Sequence, residues 1–181
     1  MNNQNNNKVS INQVKIALKN LYNYTKILNT FNLKLNIKLS LSKQMKIKRI
    51  TNVFQTKELS IEMKIEDYID RIYSTKIFSP YTILCAGILL RKIILSKKHQ
   101  IDFNSATFIK CFAACLKLVH KYFSDVQYGI KSYSKILGFF KESLKEMEKI
   151  LFRDILEFDL HLAEKDINGF LSWTENLKLI K

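Results

Sequence analysis

Residues 79–97 read SPYTILCAGILLRKIILSK, and this stretch decides the fold. Ser79 is a favourable N-cap, and Pro80 suits the first helical position because its missing N–H would have no partner there. Apolar residues then lie on nearly every side of a predicted helix that runs to about Lys97. A helix of this kind must be enclosed by neighbours, so we expect it to form the centre of a helical domain.

Apolar residues at helical spacing continue on both sides of this central stretch. Upstream, they predict a helix over 9–31 and a first helix of the body from Leu59 to about Ile72. Downstream, Gly138 is a residue type that commonly ends a helix. The downstream helices are predicted over about 104–122, 131–137, 141–156 and 164–179.

The composition also favours helices. Four Gly and one Pro in 181 residues are too few for many short strands joined by turns. Residues 33–41 do alternate strictly between apolar and polar side chains, which leaves an extended segment and a helix as open alternatives. We therefore expect an all-α chain, with one domain over 58–181 and a partly disordered extension over 1–57.

The positive charge is concentrated in the extension. The chain has 30 Lys and Arg against 16 Asp and Glu, and residues 1–60 hold eleven basic residues and one acid. Such an arm can attract nucleic acid, an anionic membrane or an acidic partner, or it can simply keep a solvated tail soluble. Because residues 61–181 hold 19 basic residues and 15 acids, a nucleic-acid interface on the body is not favoured.

The three cysteines, Cys85, Cys111 and Cys115, lie in apolar helical patterns. Their odd number argues against a disulfide framework and favours a reducing intracellular compartment. Cys111 and Cys115 share a helix face, but no His or second Cys pair stands at zinc-ligand spacing, so no metal or other cofactor is expected. The most apolar stretch, residues 77–90, is too short to span a membrane. We expect a cytoplasmic or nuclear location, with mitochondria as an alternative, and no membrane partner.

Several short motifs resemble, in order and spacing, a known family. They are YIDRI at 68–72, SP at 79–80, LR at 90–91, FAACLKLVHKYFSD at 112–125, YSKILG at 133–138 and EFDL at 157–160. Together they are similar to the cyclin box of the P-, U- and Y-type cyclins over about residues 59–172. Ser124 replaces an acid of the family pattern, and one extra residue lies between Glu148 and Phe158.

The resemblance implies a single five-helix cyclin box with an additional C-terminal helix. It also implies a regulatory subunit, not an enzyme, that binds and activates a cyclin-dependent protein kinase. The family's conserved lysine and acid match Lys121 and Glu148, with Glu146 as a rival for the acid. The other positions that the resemblance assigns to kinase binding are Phe112, Cys115, Tyr122, Asp125, Leu144 and Leu151.

Two alternatives stay open at the level of the sequence. The cyclin fold could serve as a structural or scaffold subunit of a larger assembly, with the basic arm threading into neighbours. It could also bind nucleic acid through that arm. Lys121 and Glu148 would look the same as ordinary charged residues on solvated helix faces.

Overall fold

The computed structural model describes residues 9–32, 41–55, 63–96, 101 and 103–177, and it contains no strand within these ranges. The predicted all-α class is confirmed. A π-helical segment (Ile150–Ile155) directly follows the seventh helix. The α-helices are α1 (Ile11–Asn32), α2 (Leu41–Gln55), α3 (Ile65–Ser74), α4 (Pro80–Leu95), α5 (Ser105–Phe123), α6 (Ile130–Leu137), α7 (Lys141–Lys149) and α8 (Glu164–Asn176).

The centre of the fold is the pair formed by α4 and α5, which pack extensively against each other. Residues 83–90 of α4 and residues 107–120 of α5 are buried without interruption. The first turn of α4 is capped as the sequence predicts, because the Ser79 hydroxyl accepts the Thr82 N–H at 3.0 Å. Asn104 caps α5 in the same way. The expectation that α4 is enclosed by its neighbours is confirmed for residues 83–90, whereas Tyr81 and Leu95 near its ends are exposed. Helix α5 has a similarly buried middle.

The remaining helices cover this pair. Helix α1 lies against α3, α4 and α8, and α2 lies against α5, α7 and the π-helical segment. Both helices bury apolar side chains in the common core, among them Leu18, Leu21, Ile50 and Phe54. The division of the chain at residue 57 stays a prediction, but the described parts of the basic extension belong to the same hydrophobic core as the body.

The short helix α6 is fastened to α3 at its C-terminal end. Gly138 ends α6 in the left-handed conformation with φ of 77°, as the sequence predicts. The buried Tyr68 hydroxyl donates to the Leu137 carbonyl at 2.9 Å, and the Arg71 guanidinium donates to the Ile136 carbonyl at 3.0 Å. These bonds satisfy carbonyls that the helix itself leaves without partners.

The structure differs from the predicted elements in three places. Helix α3 begins at Ile65, after an extended Lys64, and the earlier start at Leu59 lies outside the described residues. The predicted helix over 141–156 changes to π-helical geometry at Ile150. Helix α2 was not predicted, and the alternating residues 33–40 lie outside the described part of the chain. Within the described residues, none of the helices has the length and apolar character that a membrane crossing requires.

Gly138→Ala tests the end of α6, and a second glycine substitution, in α8, serves as the comparison. Gly138→Ala should lower the free energy of unfolding by about 1–2 kcal/mol, because an L-residue is strained at this positive φ. The added Cβ would also lie 2.7 Å from the Arg71 Nη2. Gly169→Ala, inside α8 where a Cβ meets nothing within 4 Å, should raise that free energy by about 0.5–1 kcal/mol. Denaturant unfolding measures the change in the free energy of unfolding for both variants. Equal stability of Gly138→Ala and the parent would contradict the left-handed conformation at the end of α6.

Candidate functional site

The C-terminal half of α5 and the C-terminal end of α7 meet at a three-residue ion cluster. The Lys117 ammonium contacts Glu148 Oε2, and the Lys121 ammonium lies 3.3 Å from Glu148 Oε1. Lys117 and Lys121 are four residues apart, so they project from the same face of α5. The Lys117 side chain is only 6% exposed, whereas that of Lys121 is 48% exposed. Lys117 therefore belongs to the buried interior, and Lys121 faces solvent.

Glu146 does not share this cluster. Its carboxylate accepts from Arg49 of α2 at 3.1 Å, and both side chains are nearly half exposed. Two residues of separation on a helix turn a side chain to a different face, which explains why Glu146 meets α2 and Glu148 meets α5. By geometry, Glu148 is the acid that pairs with Lys121.

A pocket of about 240 Å³ opens beside the cluster, between α5, α6 and α7. Its walls are a mixture of charged, amide, phenol and aliphatic groups. They come from Lys117, Lys121, Gln127, Tyr128, Ile130, Tyr133, Lys145 and Glu148. The Gln127 amide donates to the Lys121 carbonyl at 3.3 Å, which ties the loop after α5 back to the end of that helix.

Three aromatic side chains, two exposed and one partly buried, lie at the C-terminal end of α5, within the π-helical segment and just beyond it. We call Tyr122, Phe152 and Phe158 the aromatic row, because their rings follow one another at centroid distances of 5.5 Å and 5.0 Å. Tyr122 is 50% exposed and Phe158 is 64% exposed. Large apolar groups at this exposure, grouped together, are typical of a surface that binds another protein.

The backbone around Phe158 explains how the row is held. Glu157 and Phe158 both have positive φ, 51° and 67°, a conformation that is uncommon for residues other than glycine. Residues held in this way tend to cluster at functional sites, because only a specific surrounding structure maintains them. The Phe158 N–H donates to the Phe152 carbonyl at 2.9 Å and closes the turn that brings the two rings together.

The π-helical segment lies between Glu148 and this turn. Its widened geometry is visible in the Leu156 N–H, which donates to the carbonyl of Leu151, five residues earlier, at 2.9 Å. A turn with this bonding pattern contains one more residue than an α-helical turn. The segment between Glu148 and Phe158 therefore contains a wider turn than a continuous α-helix would have.

The predicted site residues divide into an exposed group and a buried group. Lys121, Tyr122 and Asp125 are exposed, and Glu148 is partly exposed. The four buried residues have side chains between 0% and 1% exposed, and they are Phe112, Cys115, Leu144 and Leu151. These four do not reach the surface, so any contribution they make to binding acts through the packing of α5 against α7.

Ser124, which replaces an acid of the family pattern, ends α5. Its backbone is extended, and its hydroxyl accepts the Val126 N–H at 3.3 Å. A serine at this position supplies a local turn, whereas a carboxylate would also supply negative charge. The exposed Asp125 is then the acid nearest in sequence to Lys121 and Tyr122.

Sequence reasoning missed Lys117 and the residues around His120. Lys117 interrupts an otherwise apolar stretch one helical turn before Lys121, and this spacing was the available signal. His120 is buried, and its Nδ1 lies 2.8 Å from the Tyr133 hydroxyl. Burial lowers the pKa of His120, so the ring is neutral at pH 7. The His120–Tyr133 contact fixes α6 against α5 and shapes one wall of the pocket.

The three cysteines are free and buried. Burial raises the pKa of Cys85 to about 11 and also raises the pKa of Cys111 and of Cys115. Such thiols are protonated at neutral pH and poor nucleophiles. In the described part of the chain, no three His, Cys, Asp or Glu side chains are grouped as a metal ion would require.

Comparison with known proteins does not identify a family for this chain. No protein-family model matches the chain, and no curated protein matches its sequence.

The ion cluster predicts an asymmetric response to neutralising two nearby acids. Glu148→Gln should lower the free energy of unfolding by about 2 kcal/mol, because it leaves the buried Lys117 ammonium without its counter-ion. Glu146→Gln, in a half-exposed pair with Arg49, should change it by less than about 0.5 kcal/mol. Urea unfolding followed by circular dichroism measures both, and equal effects would show that the burial of Lys117 is not decisive.

The thiols provide a second test. In the native protein at about pH 8, Cys85, Cys111 and Cys115 should not react with a disulfide reagent such as dithiobis-nitrobenzoate, because they are buried and protonated. In denaturant all three should react at once. If even one thiol of the folded protein reacted rapidly with the reagent, this would contradict the packing of α4 and α5.

Proposed function

We propose that this chain is a regulatory subunit that binds and activates a cyclin-dependent protein kinase. The observation that carries the proposal is the pairing of Lys121 with Glu148 directly beside the exposed aromatic row. In the cyclin box family that the sequence resembles, a lysine and an acid at these positions receive the mobile helix of the kinase. No catalytic role is proposed for the chain itself.

The charged pair is suited to fixing the register of a partner helix. Each lysine ammonium has three donors, and the contact with Glu148 leaves Lys121 with donors for carbonyls of a docked backbone. The carboxylate can accept from N–H groups at the same time. Because such a pair is partly exposed, it contributes more to orientation than to affinity.

The aromatic row is suited to supplying the affinity. Residues that dominate protein interfaces are commonly aromatic, and they lie where water is excluded on binding. Tyr122 follows Lys121 in the chain, while Phe158 reaches the same surface from beyond the π-helical segment. A partner helix seated here would contact α5 and the end of α7 together.

The π-helical segment supports the match with the family. The resemblance places Phe158 one residue too far from Glu148, and a π-helical turn accommodates one additional residue. The insertion therefore changes the local hydrogen bonding while Phe158 still lies against Phe152, whose ring also lies against Tyr122.

Activation would follow from the energetics of a two-state kinase helix. An active kinase needs a glutamate of that helix to pair with the catalytic lysine. A subunit that binds only the active position stabilises it by its differential affinity, and about 5.5 kcal/mol shifts a 1:99 equilibrium to 99:1. A surface with several aromatic anchors can supply a difference of this size.

Affinity capture from the native cells, with the full-length chain as bait, tests the proposal. The parent should recover one protein kinase in near-equal amount, with phosphorylating activity that depends on this chain. Phe158→Ala should reduce the recovered kinase at least about tenfold, since truncating an aromatic anchor costs about 2 kcal/mol or more of binding free energy.

Phe140→Ala is the matched control. Phe140 is 65% exposed, almost the same as Phe158, but it lies at the start of α7, away from the aromatic row. Its truncation should leave the recovery of kinase unchanged. Recovery of many non-kinase subunits in place of a kinase would reject the proposal and favour a scaffold role.

A further inference from the structure

The pocket beside the ion cluster has an excess of positive charge. The described residues that line it include three ammonium groups, of Lys117, Lys121 and Lys145, and one carboxylate, that of Glu148. Both oxygens of this carboxylate are already in contact with Lys117 and Lys121. The lining therefore has a formal charge of two positive units, with more hydrogen-bond donors than acceptors.

Lys145 is the group that this arrangement leaves without compensation. It is exposed, and it forms no ion pair with any carboxylate in the described ranges. Lys117 differs because its ammonium is nearly buried and lies 5.9 Å from the centroid of the Tyr133 ring. The pocket thus has one fixed ammonium at its inner wall and two accessible ones at its opening.

We propose that this pocket binds a dianionic phosphoryl group. Such a group carries close to two negative charges at pH 7 and three acceptor oxygens, which complements both the charge and the donor excess of the lining. Lysine ammonium groups commonly bind phosphate as point charges. The Tyr128 side chain and the Gln127 amide supply further polar groups at the same pocket.

The pocket shares Lys121 and Glu148 with the surface assigned to the kinase helix, and its other walls belong to α6, α7 and the loop after α5. The aromatic row begins at Tyr122 and extends along the π-helical segment, whereas the pocket lies toward α6, with Tyr133 in its wall. Phosphoryl binding requires no kinase, so the inference does not rest on the proposed function. The group could come from a small phosphate compound or from a phosphorylated side chain of another protein.

Titration of the purified full-length chain with inorganic phosphate, followed by calorimetry, is the first test. The parent should show saturable binding with one site. Lys145→Ala should weaken it about tenfold, the loss expected for one charge-assisted contact, and Lys145→Arg should retain it. Because Lys145 is exposed, these variants should fold as the parent does, which a thermal melt verifies.

Lys135→Ala is the matched control, since this lysine is exposed on α6 and does not line the pocket. It removes the same net charge and should leave the affinity unchanged. Equal weakening by Lys135→Ala and Lys145→Ala, or the absence of saturable binding to the parent, would overturn the inference.

A second titration identifies the source of the group. The probes are a short peptide with one phosphoserine and no other charged side chain, and the same peptide with serine in place of the phosphoserine. Tighter binding of the phosphoserine peptide than of inorganic phosphate, lost in Lys145→Ala, would support a phosphorylated protein as the ligand. Equal affinity for the phosphoserine peptide and for inorganic phosphate would support a small phosphate compound as the ligand. Equal affinity for the phosphoserine peptide and the serine peptide would contradict a phosphoryl site.

Discussion

The packing of α4 against α5 is the constraint on which the other helices depend. Neither helix has a polar face wide enough to meet solvent, because residues 83–90 and 107–120 are buried without a break. Fully burying one large apolar side chain is worth about 1.5–3 kcal/mol, so exposing either helix would be costly. The remaining helices must surround the pair, and α1, α2, α3, α7 and α8 all contribute to this cover.

Enclosing α5 has a consequence for its charged residues. Lys117 occupies a position that the wrapping helices bury, and a buried ammonium requires a partner. Glu148 meets that requirement, and it ties the register of α7 to that of α5. The exposed Lys121 then joins the same carboxylate from outside. The accessible Lys121 is therefore linked, through Glu148, to the Lys117–Glu148 contact that the fold requires.

Much of this could be predicted from the sequence, and the failures have physical causes. The caps at Ser79 and Gly138 and the apolar spacing of α4 and α5 are local signals, and the structure contains them. The position of α2 depends on a tertiary groove between α5 and α7, which sequence spacing does not reveal. The burial of Lys117 depends on its neighbours in the same way, and the resemblance named Phe112 and Leu144 as contacts although both support the surface from within.

The π-helical segment connects the structural and the exposed parts of the site. An α-helix continued from Lys149 would rotate each later residue by about 100°, so a single added residue would turn everything after it to a different face. A turn closed by the Leu156 N–H on the Leu151 carbonyl instead takes in one more residue than an α-helical turn. Phe152 then packs beside Tyr122, and the left-handed Glu157 and Phe158 return the chain to the same surface. Two locally unfavourable backbone features lie one after the other between Glu148 and Phe158, and together they keep the ion pair and the exposed aromatic rings on neighbouring parts of one surface. Strain of this kind persists only where surrounding contacts maintain it, and the contacts around this turn include the bond from the Phe158 N–H to the Phe152 carbonyl and the packing of the two rings.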